Sequence, residues 1–591
     1  MKKSVIKNII LCAIFVLSML GVLYYANKKE GYHVDELYSY GLANSEYLPF
    51  MHFGEIEYGV KDWMIQYGAG ENLADLGRNL INDFKIIKAA NWHWRDTALY
   101  HDYLRAQANS ADTMTTTWVS GQEYRDYLTA TENSRFNYAS VYYNQRGDVH
   151  PPLFYLILHT LCSFFPGVYS KWFGLVMNAF LMLMALITLW RLTKKYLGGD
   201  EAALLCVAVY GLSVGFVSTA VFIRMYALLT WMILLCLEAH LDLLQSDFVM
   251  TGKRARHLIL VILLGYLTHY YFVLYVLVLA AVSVVCMAVR RKWKCVLQYA
   301  ITTGLTGLIG IVIWPFSIKH VLWGYRGQES IQALKSGLVS PDRWKIMWIF
   351  LRGDVLGGQT WLLLLLLTFL LGSLAWLGIT RRKDSSPKAA LSSLKVLPWA
   401  KAGMLVVPAL IYWCVVAQSV PFFDRRYILC LYPLLVIFLT AGMLWPIRRM
   451  KLSGKGWIPA VILGCALILC NNFVRMKPDF LFPGGQETTK IPQNTVCVYV
   501  LPDAWWNESA TETNLWAKCE KIAVICVSQL EILRDTYQYK DGDTVLVAVQ
   551  TNLDAEEVLE NVKNVLGVEK LREKERKTDS GSVKIYLSAL E

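Results

Sequence analysis

Apolar residues run through this chain in blocks near the roughly 20 residues a helix needs to cross the hydrocarbon core of a bilayer. The blocks fall at 8–26, 172–193, 201–221, 226–245, 257–270, 272–290, 296–315, 360–380, 402–419, 427–446 and 456–473, which predicts about 11 membrane spans. A further apolar block at 151–166 decides the topology. If it does not span, the basic clusters Arg191/Lys194/Lys195, Lys253/Arg254/Arg256, Arg290/Arg291/Lys292/Lys294, Arg381/Arg382/Lys383 and Arg448/Arg449/Lys451/Lys455 all fall in loops on one face. If it does span, every later cluster moves to the other face, against the positive-inside rule. Pro151–Phe165 therefore reads as a helix lying along, or dipping into, the outer interface, with its two prolines in the first turn where a missing N–H costs little. The N-terminus is then cytoplasmic and the C-terminal region extracytoplasmic. The first apolar run follows Lys2 and Lys3 and has no small-x-small cleavage site, so it reads as an uncleaved helix.

Between the spans lie three longer polar pieces. The first, about 27–150, is rich in Tyr, Trp and charge, and its segments Met51–Tyr67 and Leu73–Ala90 have the pattern of amphipathic helices on a bilayer surface. The second runs from Phe316 to Gln359. The third, 475–591, alternates β-rich runs (Thr495–Leu501, Ile522–Val527, Thr544–Val549, Val583–Leu587) with helical pattern such as Asn552–Val565, the signature of a small α/β domain. The expected architecture is mainly α: a polytopic membrane helical bundle over 1–474, and a small extracytoplasmic α/β domain over 475–591. No internal repeat or low-complexity segment is apparent.

Composition agrees. Of 591 residues, 55% are hydrophobic and 18% charged, and the mean hydropathy is +0.36; this excludes an ordinary soluble enzyme. The net charge of +12 would suggest nucleic acid, but the basic residues sit in the short loops between apolar blocks, where topology alone demands them. Thirteen cysteines are scattered with no CxxC pair, mostly inside apolar blocks, as small hydrophobes would be. Cys497, Cys519 and Cys526 leave room for one disulfide in the tail.

The chemistry-bearing residues cluster at the predicted outer ends of spans. Asp35 and Glu36 follow the first span in Gly31-Tyr-His-Val-Asp-Glu-Leu-Tyr38, and a hydrophobic chain rarely keeps acids there without use for them. Asp148 and His150 precede the interface helix in Gly147-Asp-Val-His-Pro-Pro-Leu-Phe-Tyr155. Arg224 and Tyr226 lie in one outer turn, His269 in the next, and Arg425 and Arg426 in a later one. Arginine at outer turns opposes the charge bias and asks for an anionic partner. A carboxylate and guanidiniums at a bilayer surface suit transfer of a sugar from a lipid phosphate: the leaving group departs already charged, so the site needs a base and phosphate-holding cations, and little acid. A divalent metal ion is a candidate cofactor, with Asp148 and His150 as candidate ligands or substrate contacts, although their spacing is too loose to specify one. Each residue also has a bland reading. The acids could cap helices, the arginines could snorkel to headgroups, and His269 could be a satisfied interhelical histidine.

His33-Val-Asp-Glu-Leu-Tyr38, His150-Pro-Pro-Leu-Phe-Tyr155, Arg224-Met-Tyr226 and Arg426-Tyr427 together resemble the membrane glycosyltransferases of family 39 and their GT-C relatives, which include protein O-mannosyltransferases and bacterial aminoarabinose transferases. The resemblance covers about 1–300 well, the later helices loosely and the tail hardly at all. It implies a polyprenyl-phosphate sugar donor, inversion at the anomeric carbon, Asp35 as base with Glu36 beside it, and donor phosphate held near Arg224, Tyr226, His269, Arg425 and Arg426. The acceptor would be a hydroxyl of an envelope glycan, a lipid or a protein. The first loop is longer than a compact member's, and the tail is unlike a β-trefoil, so the acceptor does not transfer with the resemblance. A transporter or flippase of lipid-linked sugars is the alternative, and it predicts repeats or helices broken at mid-membrane; the sequence suggests neither. A scaffold protein would leave Asp35 without a task.

Overall fold

A computed structural model describes residues 2–49, 58–68, 70, 73–111, 118–336, 341–358, 368, 371, 396–420, 423–449, 476–482, 495–502, 513–536, 544–568, 571–573 and 583–588. The chain divides into two compact units that interleave along the sequence. One comprises Met1–Lys28, Val149–Phe154 and Gly174–Phe480; the other comprises Lys29–Asp148, Tyr155–Phe173 and Leu481–Glu591.

The first unit is helical. Among the described residues, six helices are long and apolar enough to cross a membrane: Val5–Lys28, Lys171–Tyr196, Tyr226–Gln245, Tyr270–Val289, Trp293–Ile313 and Trp399–Ser419. The expected span 201–221 is instead a pair, Gly199–Gly211 and Val214–Val221, bent by 59°. Ser213 makes the break: its Oγ accepts from Phe216 N at 3.2 Å, starting a new helix, and donates to Tyr210 O at 2.7 Å. Nothing in the sequence marks this break, because residues 202–221 read as one largely apolar block. The expected span 257–270 is a Gly252–Tyr266 helix of 15 residues. The block at 427–446 begins as a 3-10 turn, Arg425–Leu431, and continues as a helix over Tyr432–Arg449. The blocks at 360–380 (save 368 and 371) and 456–473 lie outside the described residues. Among the described residues the span count is therefore six, or seven with the bent pair as one, against the eleven expected.

The Tyr226–Gln245 helix is the buried centre of this unit and packs against Gly252–Tyr266, Tyr270–Val289, Val396–Ser419 and the Arg425–Leu431 turn. One close approach needs glycine: a Cβ on Gly265 would stand 2.3 Å from the Phe272 ring, so the turn between these two helices closes only with hydrogen there. The basic loops meet at one end of the unit. Lys194 and Lys7 pair with Asp200, Lys195 and Arg254 with Asp242, and Arg290 and Lys292 with Asp247. The Phe222–Tyr226 turn lies at the other end of the same central helix. This is the separation of ends that the charge pattern predicted.

The second unit is built on a six-stranded sheet: β1 (Trp118–Ser120), β2 (Thr495–Leu501), β3 (Lys521–Cys526), β4 (Thr544–Gln550), β5 (Leu571–Glu573) and β6 (Val583–Ser588), in the order β1-β3-β2-β4-β6-β5. β2 runs parallel to both β3 and β4, and the remaining pairs are antiparallel. Every residue of β2 and β4 is buried, which is why their sequences are continuous apolar runs rather than alternating ones. The Ala555–Leu566 helix lays Val558, Leu559, Val562 and Leu566 on Val498, Val500, Val545 and Val547. Asp554 caps its start, and Gly567, at φ 72°, ends it. The four β runs and this helix lie where the sequence placed them. The edge strand β1 comes from the first loop, pairing Trp118 with Ala523 and Ser120 with Lys521. Three residues carry too little pattern to have announced it.

The first loop is mostly helical. Val60–Tyr67 and Leu73–Ala89 form as expected, while residues 51–57 fall outside the described set. Leu80, Ile81 and Phe84 of the second helix are exposed, as a surface-riding helix requires. The apolar block at 151–166 becomes a helix over Leu153–Ser163, only 11 residues long and too short to span. Cys497, Cys519 and Cys526 are free, buried thiols.

Candidate active site

The two adjacent acids occupy different environments. Val34–Asn44 is a helix whose N-cap is His33. Glu36, at the third helical position, turns inward and is buried: its Oε2 accepts from His33 N at 2.7 Å and from Lys29 Nζ at 2.9 Å. Both side chains of the Lys29–Glu36 pair are fully enclosed. Taking one partner away from such a pair typically costs about 3–5 kcal/mol, because it strands a charge in the interior. Asp35, one residue earlier and about 100° around the helix, keeps a side chain that is 26% exposed. Its backbone N–H donates to His33 Nδ1 at 3.1 Å, and its Oδ2 stands 3.6 Å from that nitrogen. Asp35 is thus partly exposed, while Glu36 is enclosed with Lys29. Asp148 ends the Tyr138–Gly147 helix, with its N–H donating to Gln145 O at 3.2 Å.

In the helical unit, His150, Arg224, Tyr226, His269 and Arg426 come together at one end of the helices. The Phe222–Met225 turn between the second half of the bent pair and the central helix is tight. Arg224 N donates to Phe222 O at 2.8 Å, and Asn178 Nδ2 donates to the same carbonyl at 2.5 Å. Arg224 is left 5% exposed and Tyr226 4%. The helix expected to run to residue 270 stops at Tyr266, so His269 sits in a turn and caps the next helix, its Nδ1 accepting from Tyr271 N at 3.0 Å. That fixes the proton on Nε2. The His269 ring lies 5.6 Å from the His150 ring, 5.8 Å from Tyr226 and 5.1 Å from Tyr271. Burial first, then the neighbouring His150 and Arg224, hold His269 well below the usual histidine range. Tyr271 continues the cluster to Tyr427, at 6.3 Å between rings, and the Arg426 guanidinium lies over Tyr427 at 5.1 Å. Arg426 is 8% exposed and meets Asp424 at 3.5 Å. Buried guanidiniums and a histidine N–H donor on one aromatic platform can hold the oxygens of a phosphate.

Arg425 does not join this cluster. Its Nη1 pairs with Asp354 at 2.9 Å and its Nε with Asp479 at 2.8 Å, and Tyr432 Oη donates to Asp354 at 2.5 Å. Burial pushes Asp354 up to about 6, against the pull of Arg425 and Tyr432. Two carboxylates already answer the Arg425 charge and tie the 3-10 turn to Asp354 and Asp479. Sequence reading could not separate the two arginines, because consecutive residues differ only in which way the turn points them. It also missed Lys29, which reads as an ordinary lysine at the end of a span, and Asp354 and Asp479, which no local motif marks. Among the described residues, no group of three or more His, Cys, Asp or Glu could hold a metal ion.

No family model matches the sequence, and no curated protein matches it. Among solved structures, the chain is similar to ArnT from Cupriavidus metallidurans bound to undecaprenyl phosphate, at 12% identity over 74% of this chain and 88% of that one, with a TM-score of 0.42. The apo state of ArnT gives 11% identity over 74% and 87%, with a TM-score of 0.43.

Proposed function

We propose that this protein is a membrane glycosyltransferase that moves a sugar from a polyprenyl-phosphate donor to a hydroxyl of an envelope glycan, lipid or protein at the outer face of the membrane. The observation that carries this reading is the buried cluster of two guanidiniums, Arg224 and Arg426, and the neutral His269 ring at the end of the helical unit away from the basic loops. Guanidiniums beside a histidine N–H at the ends of apolar helices offer the donors that phosphate oxygens take, and a phosphate on a lipid is the anion a bilayer delivers.

Asp35 is the base. It takes the proton of the acceptor hydroxyl as the acceptor oxygen bonds to the anomeric carbon. The bond from that carbon to the phosphate oxygen breaks on the opposite face, and its electron pair leaves with the phosphate. One displacement inverts the anomeric centre, and the charge gathers on the leaving phosphate oxygens.

One feature favours a transporter of lipid-linked sugars instead: the 59° bend between Gly199–Gly211 and Val214–Val221. The break is closed by the Ser213 cap, with no ionisable residue at Leu212 or Ser213 to bind a substrate or coupling ion. Purified protein incubated with a panel of polyprenyl-phosphate sugars separates the two readings. Transfer or hydrolysis detected by mass spectrometry supports the enzyme; a protein that moves such lipids between leaflets without consuming them is the transporter.

A further inference from the structure

We infer that Lys29 and Glu36 are a buried positioning pair that sets the orientation of Asp35, so that Glu36 does not itself touch the reactants. The inference rests on the reading of Asp35 as base. The link from the first span to the Val34–Asn44 helix is only a few residues long, and its polar groups are tied at several points. Glu30 N donates to Leu481 O at 2.9 Å, Lys171 Nζ donates to Lys29 O at 2.5 Å, and His33 N donates to Glu36 at 2.7 Å. The Lys29 ammonium lies 5.7 Å from the centre of the Tyr32 ring and 5.2 Å from that of Phe482, and it closes the set on Glu36 at 2.9 Å. The same carboxylate oxygen therefore fixes both the cap of the helix and the chain that leads into it.

A buried ion pair is poor at adding stability and good at selecting one arrangement over its neighbours, because a slipped register leaves both charges unpaired. Here the selected arrangement is the first turn of the helix, and Asp35 is in that turn. The alternation follows from helix geometry: consecutive residues point about 100° apart, so locking Glu36 inward presents Asp35 outward. An aspartate has a short side chain with two rotatable bonds, so its reach to an acceptor hydroxyl is set by its backbone. Misplacement of roughly 1 Å is enough to cost about a hundredfold in rate.

The test uses the full-length protein in nanodiscs with whichever polyprenyl-phosphate sugar the wild type consumes, and compares Lys29→Met, Glu36→Gln, Lys29→Arg, the double variant Lys29→Met/Glu36→Gln, and Asp35→Asn. Positioning predicts that Lys29→Met and Glu36→Gln each lower kcat by about tenfold or more, with donor KM within roughly threefold. Lys29→Arg restores most of kcat, and the double variant, which strands no charge, exceeds either single one. Should Lys29→Met fail to fold, Glu36→Gln and the double variant give the same reading. Folded Lys29→Met and Glu36→Gln proteins with wild-type kcat, alongside an inactive Asp35→Asn, overturn the positioning role and leave the base assignment standing. An active Asp35→Asn, or a wild type that consumes no donor, removes the base reading on which the inference depends.

Discussion

His269 stands 5.6 Å from His150, ring to ring, in a turn where burial and the Arg224 charge keep it neutral. A histidine whose folded pKa lies below its unfolded value near 6.5 contributes fully above that pH and loses its contribution as pH falls through it, since the unfolded chain then binds the extra proton. The thermal midpoint in detergent should therefore drop as pH goes from 7 to 5, with a slope approaching about 1.4 kcal/mol per pH unit for this group. His159, which burial lowers to about 4, adds a term of the same sign. The relevant comparison is thus with His269→Asn, which keeps a cap but cannot titrate, and which should show a shallower decline. An identical slope in the variant would remove the neutral-histidine assignment.

Arg224→Ala should raise donor KM by about tenfold to a hundredfold, the worth of a charge-assisted contact to phosphate, and change acceptor KM little. Arg426→Ala should behave alike. Steady-state kinetics with donor and acceptor varied separately decide this, and an unchanged donor dependence in both variants would count against phosphate binding.

Arg425→Ala should behave differently from Arg426→Ala. It leaves Asp354 buried beside Asp479 without its cation, and should cost about 3–5 kcal/mol of stability. Replacing Asp354 by Asn in the same protein should recover much of that loss, because the stranded charge goes with it. Melting of the two singles and the double in detergent measures the coupling. A donor KM effect in Arg425→Ala equal to that of Arg426→Ala, without destabilisation, would place both arginines on the substrate.

Topology has its own test. Cysteines placed at the exposed positions Gln328 and Glu560 should react with a membrane-impermeant maleimide in intact cells, while one at Lys253 should react only after lysis. The reverse pattern would put the candidate site on the cytoplasmic face.

Much of this was legible in the sequence, for physical reasons that also mark where reading stopped. Span positions and the separation of basic loops from Arg224, His269 and Arg426 follow from hydropathy and charge, which act residue by residue. The strands Thr495–Leu501 and Thr544–Gln550 were visible because burial on both faces makes them uniformly apolar. The break at Ser213 was hidden, since a single hydroxyl in an apolar run gives the same average as an unbroken helix. The edge strand Trp118–Ser120 was hidden because its partner is distant in the chain. The division of labour between Asp35 and Glu36, and between Arg425 and Arg426, was hidden for a third reason: adjacent residues share every local property except direction, and direction is set by partners such as Lys29 and Asp354 that lie elsewhere in sequence.

The most direct measurement is sugar transfer by Asp35→Asn, followed by mass spectrometry, on protein whose melting temperature matches that of the wild type. Loss of turnover by about a thousandfold or more, with the lipid phosphate still bound, is expected of a missing base. Transfer at the wild-type rate would show that no proton passes to Asp35.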